Sequence, residues 1–129
     1  MKEFESRIRA YLKERSWDKL RPADVAKSIL IEGAELLEIF QWDNQELEEV
    51  KSDAKKMEKI RSELADVLIY SFDMAVLLGI DVETIVNEKL DKVKEKYPAQ
   101  LFNKDANAKN PGTENVYQQI KQQYRSEGK

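Results

Sequence analysis

The chain contains no cysteine and no histidine. Without cysteine it can form no disulfide, offers no thiol nucleophile and builds no zinc–thiolate site. Without histidine, Ser-His and Cys-His catalysis, imidazole metal ligation and the usual general base near neutral pH are all excluded. Glycine and proline are scarce, four and three in 129 residues, which leaves long stretches free to run as helix. No apolar run is long enough to cross a bilayer, and Met1-Lys2-Glu3-Phe4-Glu5 has none of the apolar stretch of a signal peptide. A cytoplasmic protein is expected, with no membrane partner. The net charge of −3 gives no basic face for a phosphate backbone, so duplex nucleic acid is not an expected partner either.

What remains is 41% hydrophobic and 36% charged, a balance that suits one helix-rich domain with charged outer faces. Apolar positions recur at helical spacing rather than alternating. Phe4, Ile8, Tyr11 and Leu12 share one face of a helix over residues 2–14. After a linker, Pro22 is placed for the first turn of a second helix that reaches about Gln41. Residues 42–56 are polar and acidic and read as a connection with some helical turns. A third helix spans 57–78 and stops at Gly79; a fourth spans 82–96 and stops before Pro98. Residues 103–113 read as an extended tail. Residues 114–125 read as a last helix, with Val116, Ile120 and Tyr124 on one face to pack on a partner subunit. The expected fold is all-α: an antiparallel four-helix bundle over 1–98 with a C-terminal extension over 99–129.

Two short acidic repeats stand inside the most apolar helices, Glu32-Gly33-Ala34-Glu35 and Glu63-Leu64-Ala65-Asp66. Residues three apart lie side by side on a helix, so each repeat presents a pair of carboxylates. Glu32 shares its stripe with Val25, Ile29, Leu36 and Ile39, and Glu63 with Ile60, Val67 and Tyr70. In a hairpin, each pair stands about six residues, roughly 9 Å, from the connection. The two pairs therefore face each other. Four carboxylates against apolar surface repel one another and lose hydration unless a cation sits among them. With oxygen ligands only, that cation is hard: magnesium, or manganese. A run such as Glu46, Glu48, Glu49, Asp53 and Glu58, by contrast, reads as a solvated face. Trp17 and Trp42 bracket the acidic helix and read either as core anchors or as stacking surfaces for a base.

These strings, with Glu14-Arg15-Ser16-Trp17, Phe40-Gln41-Trp42 and Lys96-Tyr97-Pro98, resemble the all-α nucleoside triphosphate pyrophosphohydrolases of the MazG-like superfamily, closest to the dCTP pyrophosphatase branch. The resemblance implies a magnesium-dependent cut between the α and β phosphates of a nucleoside triphosphate, releasing a monophosphate and pyrophosphate. It implies Glu32, Glu35, Glu63 and Asp66 as metal ligands and Trp17, Trp42 and Tyr70 as the base and sugar pocket. Lys89 and Lys96 would approach the phosphates. Where the family often has asparagine, five residues before the Tyr-Pro proline, this chain has Val93, which leaves Lys92 as a neighbouring contact. Glu35 is favoured as the residue that orients the attacking water, with Glu38 as its competitor. The resemblance also implies a homodimer or homotetramer with shared sites. A non-catalytic helical interaction module is the other class of reading; a di-iron bundle is not, since that design needs histidine.

Overall fold

A computed structural model of the chain describes residues 1–102 and 111–129. The tail expected over 103–113 lies outside the described residues up to residue 110. Six α-helices follow in order: α1 (Lys2–Glu14), α2 (Pro22–Glu38), α3 (Leu47–Ser52), α4 (Ala54–Leu78), α5 (Val82–Lys96) and α6 (Pro111–Ser126), with a 3-10 turn at Ala99–Leu101. The described residues contain no strand. They form two compact units, Met1–Val82 and Glu83–Lys129.

Local chemistry explains where the helices of the first unit begin and end. Pro22 opens α2, where a missing N–H costs nothing. Asp53 caps α4, its Oδ1 accepting from the Lys56 N–H at 3.0 Å, so this helix starts three residues before the expected Met57. The connection ahead of it holds the short α3, closed by a capping box between Glu46 and Glu49. α2 regularly hydrogen-bonds only to Glu38 and then tightens, with Phe40 N–H reaching Leu37 O and Gln41 N–H reaching Glu38 O. At the far end of α4, Gly79 takes φ +66° and the Ile80 N–H bonds back to Ala75 O at 2.8 Å.

The same closure ends α1, but with a serine. Ser16 adopts φ +58°, and the Trp17 N–H turns back to Leu12 O at 2.8 Å. A left-handed serine is strained by about 1 kcal/mol or more. The turn lays the Trp17 ring edge-on to Tyr11 at 5.8 Å.

Packing in this unit is organised by α4. Along one flank it meets α1, where Ile8, Leu12 and Phe72 form the buried centre and Ile69, Val76, Leu77 and Val82 close around it. The Phe4 ring stands edge-on to Phe72 at 4.8 Å. Leu12 is 1% exposed; truncating such a leucine costs about 2–5 kcal/mol. Along its other side α4 runs antiparallel to α2, with Val25 buried at that seam. In the second unit, Tyr97 stacks on Tyr117 at 4.9 Å and Lys96 lies 4.6 Å above the Tyr124 ring. Val116, Ile120 and Tyr124, the face expected to meet a partner subunit, are half-buried against the chain itself.

Candidate metal centre and its two flanking cavities

The antiparallel pairing of α2 and α4 brings the two acidic repeats together. One carboxylate oxygen each from Glu32, Glu63 and Asp66 lies within 4.8 Å of the others, and all three residues are half-buried. Glu35, one turn further along α2, is exposed yet close enough to Glu32 and Glu63 to raise both carboxyls. Burial raises the Glu32 carboxyl above the ordinary range, and the Glu35 hydrogen bond with the charges of Glu35, Asp66 and Glu63 raises it further. Glu63 is raised in the same way, by burial first and then by Glu35 and Asp66. Carboxylates this close to one another are relieved either by taking up a proton or by a cation. Oxygens opposed across a six-coordinate ion at 2.1 Å stand about 4.2 Å apart, so this donor set fits a small hard divalent cation.

Two cavities adjoin the cluster. The larger, of about 730 Å³, opens beyond Glu35 and Glu63 and is walled on the α4 side by Lys55, Lys56 and Lys59. Lys56 is committed elsewhere. Its Nζ donates to Asp43 Oδ1 at 2.8 Å and to Gln45 Oε1 at 2.7 Å, over the Phe40 ring, which clips the α2–α3 connection to α4. Lys55 and Lys59 form no ion pair among the described residues and are exposed. Glu38 faces the same cavity and is exposed.

The second cavity, of about 510 Å³, is lined by Asp66 and by Tyr11, Trp17 and Tyr70. Its lining also includes the buried Asp73, whose carboxyl is pushed up by burial. Tyr70 is likewise raised, by burial and then by the Glu32 charge, so its hydroxyl keeps its proton.

Of the residues singled out in the sequence, the first unit gathers Glu32, Glu35, Glu63, Asp66, Trp17 and Tyr70 around this centre. Trp42 is 90% exposed and lines neither cavity. Lys89, Lys92 and Lys96 lie in the second unit, around a cavity of its own with Tyr124 and Lys129. Sequence reasoning passed over Lys55, Lys59 and Asp73. Lys59 carried a readable signal, since it precedes Glu63 by four residues and so shares its face.

A stability test follows from the raised acids. A group whose folded-state pKa is raised holds extra protons in the fold, so stability falls as pH rises from the ordinary carboxylate range through the raised one. Metal-free protein is expected to melt lower as pH climbs through that window, and less so in a Glu32→Gln variant. Magnesium at a hundredfold excess over its dissociation constant at pH 8 should return about 2.7 kcal/mol there, and the same concentration should return less at pH 5, where protons compete for the carboxylates. A melting temperature indifferent to magnesium at both values would count against a cation site.

Comparisons with known proteins converge. Residues 27–109 match the MazG-like family. Proteins named dCTP pyrophosphatase 1 are similar: that of Rattus norvegicus is 32% identical over 98 residues, and that of Homo sapiens 31% over 90. Each alignment covers 68% of this chain and 53% of the relative, so the chain spans about half the length of the curated relatives it matches. Among solved structures, a pyrophosphatase from Archaeoglobus fulgidus superposes with a TM-score of 0.68 at 37% identity, covering 76% of this chain and 92% of that one.

Proposed function

Because the chain belongs to the MazG-like family, we propose that it hydrolyses nucleoside triphosphates between the α and β phosphates, giving a monophosphate and pyrophosphate. The substrate we favour is dCTP or a modified relative, and the role is clearing such nucleotides from the cytoplasmic pool. The observation that carries this reading is the position of the acidic cluster between a cavity bearing free lysines and a cavity walled by aromatic rings. One nucleotide spans those three features in order: phosphates, cation, base.

Glu32, Glu63 and Asp66, with Glu35 one turn away, would hold Mg²⁺, or Mn²⁺ in its place. The bound cation supplies neutralisation of the triphosphate and of the charge growing on the leaving pyrophosphate. The chain's own residues do the rest. Lys59 and Lys55 draw the β and γ phosphates into the larger cavity and hold the leaving group. Trp17, Tyr11 and Tyr70 receive the base and exclude water from the sugar side. Glu35 orients the attacking water and takes its proton, being the carboxylate beside the cluster that remains open to solvent; Glu38 is the competing group on the same wall. Lys89, Lys92 and Lys96 of the second unit remain proposed phosphate contacts by family likeness.

An oligomer completes the site. α2 is apolar on the face away from α4 as well as toward it. Leu30, Ile31 and Leu37 are 75%, 56% and 66% exposed, and Leu64 and Leu68 on α4 are exposed on a flank that α1 does not cover. A helix that is hydrophobic nearly all round belongs inside a larger core. Gly33 sits on that outer face with nothing near where a Cβ would stand; a mid-helix glycine costs about 1 kcal/mol against alanine, and close approach by a second backbone explains it. Two α2–α4 hairpins packed back to back would form a four-helix bundle between subunits, as a dimer or as half of a tetramer, in place of the single-chain bundle expected over 1–98. The exposed Trp42 indole is then available to a neighbouring subunit's site.

Pyrophosphate release from a panel of canonical and modified triphosphates, with and without magnesium, tests the reading. Turnover is expected only with the metal. Lys59→Ala should lower kcat/KM about tenfold or more, the scale of a lost charge-assisted contact. No turnover of any nucleotide would overturn the assignment.

A further inference from the structure

Asp73 is the buried charged side chain among the described residues, 3% exposed, and the metal reading makes no use of it. It stands on α4 seven residues after Asp66. Two helical turns separate them, about 10.5 Å along the axis, too far to share an ion but comparable to the reach of a nucleoside. Its Oδ1 has no hydrogen-bond partner. Arg7 borders the same cavity but forms no ion pair with it, and Asp66, Tyr70 and Trp17 line that cavity together with Asp73.

Buried polar atoms are almost always satisfied, and an orphan in a native fold marks a place where something else supplies the partner. A carboxyl accepts a hydrogen bond in either protonation state. A donor satisfies Oδ1 in both states, whereas an acceptor does so only when that oxygen carries the proton; the position is at nucleoside distance from Asp66, with Trp17 and Tyr70 lining the same cavity.

We propose that Asp73 selects the base, accepting a hydrogen bond from an exocyclic amino group in the aromatic cavity. A 4-aminopyrimidine supplies that donor. A 4-oxopyrimidine of the same shape presents a carbonyl oxygen instead, which leaves two acceptors facing each other whenever the carboxyl is ionised. The inference rests on the pyrophosphohydrolase reading and adds its specificity: cytosine nucleotides over uracil nucleotides, decided on α4 and not by the metal cluster.

The test compares dCTP with dUTP in the wild type, Asp73→Ala and Asp73→Asn. The wild type should favour dCTP in kcat/KM by about tenfold to a hundredfold, as one buried hydrogen bond permits. Asp73→Ala should bring dCTP down toward dUTP, chiefly through KM. Asp73→Asn, whose amide both donates and accepts, should gain on dUTP. Both variants should melt above the wild type, since an unpaired buried carboxyl is removed; a merely structural Asp73 would instead lower melting and slow both nucleotides alike. An unchanged dCTP-to-dUTP ratio in both variants, or a wild type without preference, overturns the proposal while leaving the activity standing. A wild type that turns over neither these nor any other triphosphate removes the activity and this proposal with it.

Discussion

Replacing Glu63 by glutamine is expected to reduce pyrophosphate release at least about a hundredfold, the scale on which metal affinity and charge stabilisation respond to lost ligands. The substitution keeps the shape of the side chain and removes the charge at the meeting point of the cluster, where Glu63 is within reach of Glu32 and Asp66 and is raised by burial and by the nearby Glu35. Stability should move the other way. Metal-free Glu63→Gln should melt above metal-free wild type at pH 8, because one of the mutually repelling charges is gone. Magnesium should then raise its melting temperature by less. This opposition separates a ligand from a structural residue, whose loss would lower both activity and melting. Glu58→Gln, in an exposed acid five residues earlier on α4, serves as the control and should keep wild-type turnover. Equal turnover by Glu63→Gln and wild type would sink the enzyme reading.

Sedimentation velocity should find the wild type as a dimer or tetramer and the double variant Leu30→Glu, Leu37→Glu as a monomer. The two leucines lie one turn either side of Gly33 on the outer face of α2, 75% and 66% exposed in the single chain. Burying a leucine contributes about 1.5–3 kcal/mol. A twofold interface buries the same patch from both copies, so four leucines contribute on the order of 6–12 kcal/mol before the entropy of association is subtracted. Charges placed there leave unpaired carboxylates in an apolar seam, and the dimer should not survive at micromolar concentration. Turnover should fall with the assembly. A monomeric wild type, or a double variant that sediments unchanged, would remove the shared-hairpin arrangement.

The acidic pairs were legible before any coordinates because helical spacing and distance from the connection are both arithmetic on the sequence. Pro22 and Gly79 were legible for the same reason: each has a backbone preference that acts locally. The start of α4 was misplaced by three residues, since Asp53 in an acidic run looks like any other solvated acid until its carboxylate is seen accepting from Lys56 N–H. Asp73 was invisible for a related reason. An acid in the run Ser71-Phe72-Asp73-Met74-Ala75 shows its burial only once α1 is laid across α4, and that packing is long-range. The lysines of the larger cavity required knowing which helix face looks beyond Glu63. The exposure of Leu30, Ile31 and Leu37 on α2 was not legible, because an apolar residue in the sequence does not say whether the chain's own core covers it.

The left-handed turn at Ser16 divides the labour of the first unit. The carboxylates and lysines ride on the α2–α4 hairpin, whereas Phe4, Tyr11 and Trp17, three of the four aromatic rings lining the smaller cavity, are carried by α1 and its closing turn. Changes in the first twenty residues would therefore reshape that aromatic wall while leaving the acidic cluster and the lysines of α4 in place.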